Sequence, residues 1–188
     1  MVNYKDGSLK KYLDDLAGKL PAPGGGSAAA LNAALGVSLV SMVVNFTLGK
    51  PKYARYEDEL KDILDKSEKL REKFLSLVDL DVVAYQSKNL RDALDIPFMI
   101  ARLCAEAIKL CPPLVKAGNV NLISDVGVAS VLLEGAFVSA VFNVEINLKS
   151  LSDKVLAKSI RKELTQKMNS VKKIRLQTEE KVGKIIRG

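Results

Sequence analysis

Leu70, Phe74, Leu77, Asp81 and Tyr85 are spaced three or four residues apart, as one face of a helix would be. The fourth member is a carboxylate where the pattern calls for hydrocarbon. Burial disfavours the charged form of an acid, so a carboxyl held there titrates closer to neutrality and can take and give a proton. From periodicity alone the position suits still better a structural carboxylate paired with Lys, Arg or a helix N-terminus. A second group lies upstream. In LPAPGGGSAAALNAAL, starting at Leu20, Pro23 and the run Gly24, Gly25, Gly26 lead into Ser27 and a block of alanines. Bare backbone at a helix start offers unpaired N–H groups and the positive end of the dipole, which suit a carboxylate or phosphate. Ser27 adds a hydroxyl. No Lys-Ser/Thr follows the glycines, so this is not a P-loop; a hinge between closely crossing helices accounts for the stretch equally well. The third group is Asn119, Asn121 and Asp125 in GNVNLISDVGVAS. Asn121 is placed to cap the next helix and Asp125 to complement its dipole. Beyond them Gly135, Ser139, Asn143 and Asn147 recur every four residues, and buried amides need partners that a heterocyclic ligand can supply.

The elements that must position these groups read as helices. Ser8 caps a first helix to about Lys19, with Leu9, Tyr12, Leu13, Leu16 and Leu20 on one face. A second runs from Gly25 to Leu48, a third from Tyr53 to Asn89, a fourth from Pro97 to Cys111, a fifth from Leu122 to Leu148 and a last from Ser152 to Ile186. The fifth carries an unbroken apolar stripe through Leu122, Val126, Ala129, Leu133, Ala136, Ala140, Val144 and Leu148. The last is amphipathic and basic, with Val155, Ile160, Leu164, Met168, Val171, Ile174 and Val182 facing in. No segment alternates with period two. The sequence predicts an all-α, antiparallel helical bundle of five to six helices, one domain over residues 1–188. Its two central helices are apolar around most of their circumference, which favours a homodimer with a helical interface.

With 48% hydrophobic and 27% charged residues, the 188-residue chain has an ordinary globular balance. The net charge of +7 resides in residues 151–188, which hold eleven basic and four acidic side chains. Such a segment attracts anions, nucleic acid or a membrane surface; few aromatics and no recognised motif argue against nucleic acid. Leu20 to Gly49 has no ionisable side chain and the length of a membrane span, but its Ser, Asn, Thr and Ala content fits a helix among other helices better. Cys104 and Cys111, seven residues apart along a helix, are about 10 Å apart in rise, too far to bridge. With no histidine in the chain they form no standard zinc site. They read as reduced, buried thiols, and the charged N-terminus lacks the apolar core of a signal peptide, so a cytoplasmic location is expected.

PAPGGGSAAALNAALGVSLVSMV, VDLDVVAY, GNVNLISDVGVAS and NVEINLKSLSD, in this order, resemble the signatures of the cyclodeaminase/cyclohydrolase family. That family comprises the C-terminal domain of formiminotransferase-cyclodeaminase and stand-alone bacterial relatives. The resemblance covers nearly the whole chain. It implies an all-helical, dimeric enzyme of folate one-carbon metabolism, a lyase or hydrolase. Such an enzyme closes 5-formiminotetrahydrofolate to 5,10-methenyltetrahydrofolate with loss of ammonia, or hydrolyses the methenyl compound to 10-formyltetrahydrofolate. The family's catalytic carboxylate, in Asp-x-x-Ala-Tyr/Phe, carries over to Asp81. No metal or other cofactor is implied. On this reading Pro23, Gly24, Gly25, Gly26 and Ser27 hold the glutamyl carboxylate or sit against the pterin. Asn119, Asn121, Asp125, Asn143 and Asn147 read the pterin edge, and the basic tail attracts a polyglutamate chain or is simply solvated. The stretch YQSKNLRDALDIP between Tyr85 and Pro97 is shorter than is usual in the family. This motivates the alternative of a non-catalytic folate-binding or regulatory scaffold.

Overall fold

The computed structural model describes residues 3–87 and 89–188. Seven α-helices run through them: α1 (Leu9–Ala17), α2 (Gly25–Asn45), α3 (Glu57–Ser87), α4 (Leu90–Ala107), α5 (Cys111–Ala117), α6 (Ile123–Leu148) and α7 (Lys154–Arg187). No strand occurs among the described residues. The antiparallel all-α bundle read from the sequence is the architecture observed.

The most apolar helices take the centre. α2 packs on both α3 and α6, while α4 and α7 cover further sides of α6. Apart from Leu122, which precedes α6 and is only partly buried, the α6 stripe behaves as its spacing requires: Val126, Ala129, Leu133, Ala136, Ala140, Val144 and Leu148 are at most 2% exposed. Each large side chain buried this way contributes about 2 kcal/mol. Gly36 permits the close α2–α6 approach, since an added Cβ would lie 2.8 Å from Leu133 Cγ. α2 and α6 are both long and apolar enough to cross a membrane, and in α2 61% of that stretch is buried among the other helices.

Several boundaries and faces differ from the sequence expectation. α1 ends at Ala17 and α2 at Asn45. α3 starts at Glu57 after a 3-10 turn (Pro51–Tyr56), because three successive acids, Glu57, Asp58 and Glu59, suit the positive end of a helix. Its expected end at Asn89 runs across Lys88, which lies outside the described residues. Asn89 instead caps α4, its side chain accepting from Arg91 N–H at 2.9 Å. α4 therefore begins seven residues before Pro97, and the proline lies in its interior. A proline there supplies no N–H to the carbonyl four residues back. Ala93 O takes a replacement from outside the helix, Asn147 Nδ2 of α6, at 2.6 Å. α7 starts at Lys154, with Asp153 accepting from Leu156 N–H. Leu9, Leu13, Leu20 and Val155, expected to face inward, are exposed; in α1 only Tyr12 is fully buried.

Candidate active site

α2 begins without a local cap. Gly24 occupies the N-cap position and has no side chain to bond the first N–H groups. The cap comes from α3: Asp81 Oδ2 accepts from Ser27 N–H at 2.8 Å. Gly26 makes this approach sterically possible. An added Cβ at Gly26 would lie 2.7 Å from Asp81 Cγ and closer still to Oδ1. Asp81 thus does bind a helix N-terminus, the structural alternative raised from its position, but with only one of its oxygens. Oδ1 makes no protein hydrogen bond among the described residues. The N–H groups of Gly25 and Gly26 have no acceptor within their own helix.

In front of these groups lies a cavity of about 210 Å³. Gly24, Gly25 and Gly26 form one wall, Asp81 and Tyr85 a second, and Asn143, Ile146 and Asn147 a third, with Pro97 closing the α4 side. Burial raises the Asp81 carboxyl from its ordinary value, outweighing the Ser27 N–H, which acts to lower it. A carboxyl placed this way exchanges protons with a bound molecule more readily than one in water. Across from it, Asn143 Nδ2 donates to Ser139 O at 2.9 Å, and the same amide lies beside Gly25. Asn147 Nδ2 is committed to Ala93 O. With their amide nitrogens so engaged, both residues retain carbonyl oxygens able to accept from a donor-rich heterocycle.

The structure gathers Gly24, Gly25, Gly26, Asp81, Asn143 and Asn147 around one space. Pro23 is buried and does not line it. The Ser27 hydroxyl is turned into the protein: it is fully buried, donates to Val78 O at 2.9 Å and accepts from Tyr12 Oη at 3.2 Å. Its backbone N–H, rather than its hydroxyl, serves the site. Asn119, Asn121 and Asp125 belong to the opposite end of α6, about 30 Å along the helix from Asn143, and do not line the cavity. There Asn121 does not cap α6, which has no side-chain cap; Asn119 caps the 3-10 turn Val120–Leu122 that leads into it. Its Oδ1 accepts from Asn121 N–H, while its own N–H and Nδ2 bond Thr47 Oγ1 and Phe46 O, tying the end of α2 to the approach of α6.

Tyr85 and Ile146 join the site without a signal of their own in the sequence. Tyr85 belongs to the helical stripe expected to face the core, yet it is 60% exposed and stands in the cavity wall. Ile146 is the residue before Asn147, and nothing in its type marks it. The spacing of Tyr12 accounts only for apolar packing, and its Ser27 contact spans fifteen residues that no periodicity connects.

Comparison with known proteins gives concordant results. The formiminotransferase-cyclodeaminase family pattern matches residues 8–88 and 86–166. The two stretches meet where the connection after Tyr85 is short. Methenyltetrahydrofolate cyclohydrolase of Methylorubrum extorquens is 38% identical over 180 residues, covering 84% of this chain and 86% of that protein. Formimidoyltransferase-cyclodeaminase of Rattus norvegicus is 28% identical over 190 residues, and there 89% of this chain spans 35% of the longer protein. The crystal structure of formiminotetrahydrofolate cyclodeaminase from Thermotoga maritima superposes with a TM-score of 0.83 at 28% identity, over 98% of both chains. On this sequence match and shared architecture, the chain belongs to the formiminotransferase-cyclodeaminase family.

Proposed function

We propose that this protein is an enzyme of folate one-carbon metabolism acting on 5-formimino- or 5,10-methenyltetrahydrofolate, with Asp81 as its acid/base. The observation that carries this reading is the Asp81 carboxyl, its Oδ1 without a protein partner, in a cavity walled by the bare start of α2 and the amides of α6. In cyclodeamination N10 attacks the formimino carbon, forming the new C–N bond and releasing the N10 proton. Asp81 accepts that proton and returns it to the amino nitrogen, which departs as ammonia when its C–N bond breaks. In cyclohydrolysis the attacking water gives its proton to Asp81. Asp81 returns that proton to N5 as the C–N5 bond breaks, and the remaining hydroxyl proton is released to solvent as the carbonyl forms, leaving the 10-formyl product. Both sequences consist of proton transfers and C–N or C–O bond changes and need no added cofactor. Ring closure is intramolecular, so holding N10 against the carbon supplies much of the acceleration.

The flat pterin has a suitable bed between Tyr85 and Ile146, with its donor edge toward the Asn143 and Asn147 carbonyl oxygens. The free N–H groups of Gly25 and Gly26 suit a ligand oxygen. The basic surface of α7 favours polyglutamated folates, an attraction that salt should weaken. The buried, unpaired Cys104 and Cys111 suit the cytoplasm; burial raises both thiols, Cys111 to about 12. A homodimer is supported by the outward faces of the central helices, where Leu35, Val131, Phe142 and Ile146 are all more than half exposed. Val128 and Val131 also line an open groove of about 790 Å³ that continues this face toward Leu176 and Ile186 of α7. Sedimentation equilibrium is expected to give twice the chain mass; a monomer at micromolar concentration would rule the dimer out.

One spectroscopic assay tests the activity. Cyclodeamination creates the methenyl chromophore and cyclohydrolysis destroys it, so the two reactions give absorbance changes of opposite sign. The wild type is expected to show one of them and Asp81→Asn neither, while still binding folate. Ligand binding without a signal from either substrate would favour a non-catalytic scaffold, and full turnover by Asp81→Asn would remove Asp81 from the mechanism.

A further inference from the structure

Outside the cavity, against the N-terminal turn of α2, stands a phenol that the chemistry above does not use. Tyr12 of α1 is 3% exposed, and its hydroxyl donates to Ser27 Oγ at 3.2 Å. Ser27 Oγ donates onward to Val78 O, one turn before Asp81 on α3. Ser27 thus grips α3 twice, through the Val78 carbonyl and through its N–H on Asp81 Oδ2. The segment carrying Tyr12 is itself fastened. Tyr4 N–H donates to Asp79 Oδ1 at 2.7 Å, Tyr4 Oη donates to Asp15 Oδ2 at 2.8 Å, and the Tyr4 and Tyr12 rings meet edge to face at 5.2 Å. Phe at position 12 would serve packing alone, so the hydroxyl needs a separate reason. Its one hydrogen-bond partner among the described residues is Ser27.

We infer that Tyr12 is a positioning residue for the reaction: through Ser27 it aims the Ser27 N–H at Asp81 Oδ2 and so reserves Oδ1 for proton transfer. This rests on the reading of Asp81 as the acid/base. A serine hydroxyl is a free rotor unless both its donor and acceptor sides are engaged, and here Tyr12 and Val78 engage them. The peptide that follows Gly26 is pinned in consequence. Around the Asp81 carboxyl the ionisable neighbours among the described residues are Tyr12 from α1 and Tyr85 on α3. α2, α4 and α6 present no ionisable group there, only glycines, Ser27, Ala93, Pro97, Ile146 and the Asn143 and Asn147 amides. Burial raises the Tyr12 phenol, partly offset by the Ser27 bond and reinforced by the Asp81 charge, so it remains a donor at neutral pH.

The test is the pH dependence of kcat and KM for Tyr12→Phe and Ser27→Ala, with Asp81→Asn as reference. Tyr12→Phe is expected to fold, to lower kcat roughly tenfold with KM within about twofold, and to shift the limb set by Asp81 upward as the N–H loses its aim. Ser27→Ala should shift the limb in the same direction, and the double variant should lose no more than Ser27→Ala alone, because both act through one contact. A lowered melting temperature with kcat and the limb unchanged would show that Tyr12 is only packing, leaving the role of Asp81 intact. If Asp81→Asn itself retains turnover, the functional reading falls and this inference falls with it.

Discussion

Gly26→Ala should slow the enzyme roughly 100-fold without unfolding it. Gly26 has no unusual backbone angle that would exclude alanine, so the obstacle is Asp81. An added Cβ would lie 2.7 Å from Asp81 Cγ, whereas carbon atoms pack at about 3.5–4.0 Å. The carboxylate must therefore retreat by about 1 Å. That stretches its 2.8 Å bond to Ser27 N–H and moves the proton-carrying oxygen off its target. A misplacement of this size costs roughly 100-fold in rate, or about 2.7 kcal/mol of transition-state stabilisation. In the fold, about 0.5–1 kcal/mol gained by replacing glycine in a helix opposes about 1–3 kcal/mol of overpacking, so the net loss of stability is small. The measurement is kcat by methenyl absorbance together with thermal melts, for Gly26→Ala alone and combined with Asp81→Ala. With the carboxylate removed, alanine at position 26 should become neutral or stabilising. For the thermal melts Gly24→Ala serves as a control, since nothing lies within 4 Å of its added Cβ. Normal turnover by Gly26→Ala, or equal destabilisation in both backgrounds, would refute the proposed dependence of Asp81 on a side-chain-free backbone.

Two further outcomes follow from the same geometry. Because burial places the Asp81 carboxyl above its unfolded value, its stability contribution is full below the unfolded pKa and is lost as pH rises through the folded one. Asp81→Asn should therefore melt above the wild type near pH 8, with the gap closing toward about pH 4; a constant gap would mean that the carboxyl is not desolvated. Asn147→Leu should cost about 1–3 kcal/mol by leaving Ala93 O without a donor. Pro97→Ala, which returns an N–H to α4, should recover more stability in that background than in the wild type; equal recovery would disprove the link between the two residues.

The chemistry-bearing pattern was legible in the sequence because helical periodicity is a local property. A carboxylate in an apolar stripe at Asp81, a run of glycines opening a helix, and amides repeating every four residues on α6 all follow from 3.6 residues per turn. The same periodicity fixed the all-helical class and the buried stripe of α6. Where α4 begins was not legible, since proline normally opens a helix. Only the fold reveals that Asn147, fifty-four residues from Ala93, supplies the donor that Pro97 lacks. Asp125 shares α6 with Asn143, and Asn119 and Asn121 lie just before that helix, but its length carries all three to the other end of the bundle. The sequence by itself determined the all-helical class, the buried stripe of α6 and the presence of an acid within a helical stripe. Tertiary packing alone decided that this acid caps the bare start of α2, that Tyr85 looks outward, and that Tyr12 stands behind Ser27. Those contacts depend on how helices cross, which is set by the fit of side chains far apart in the chain.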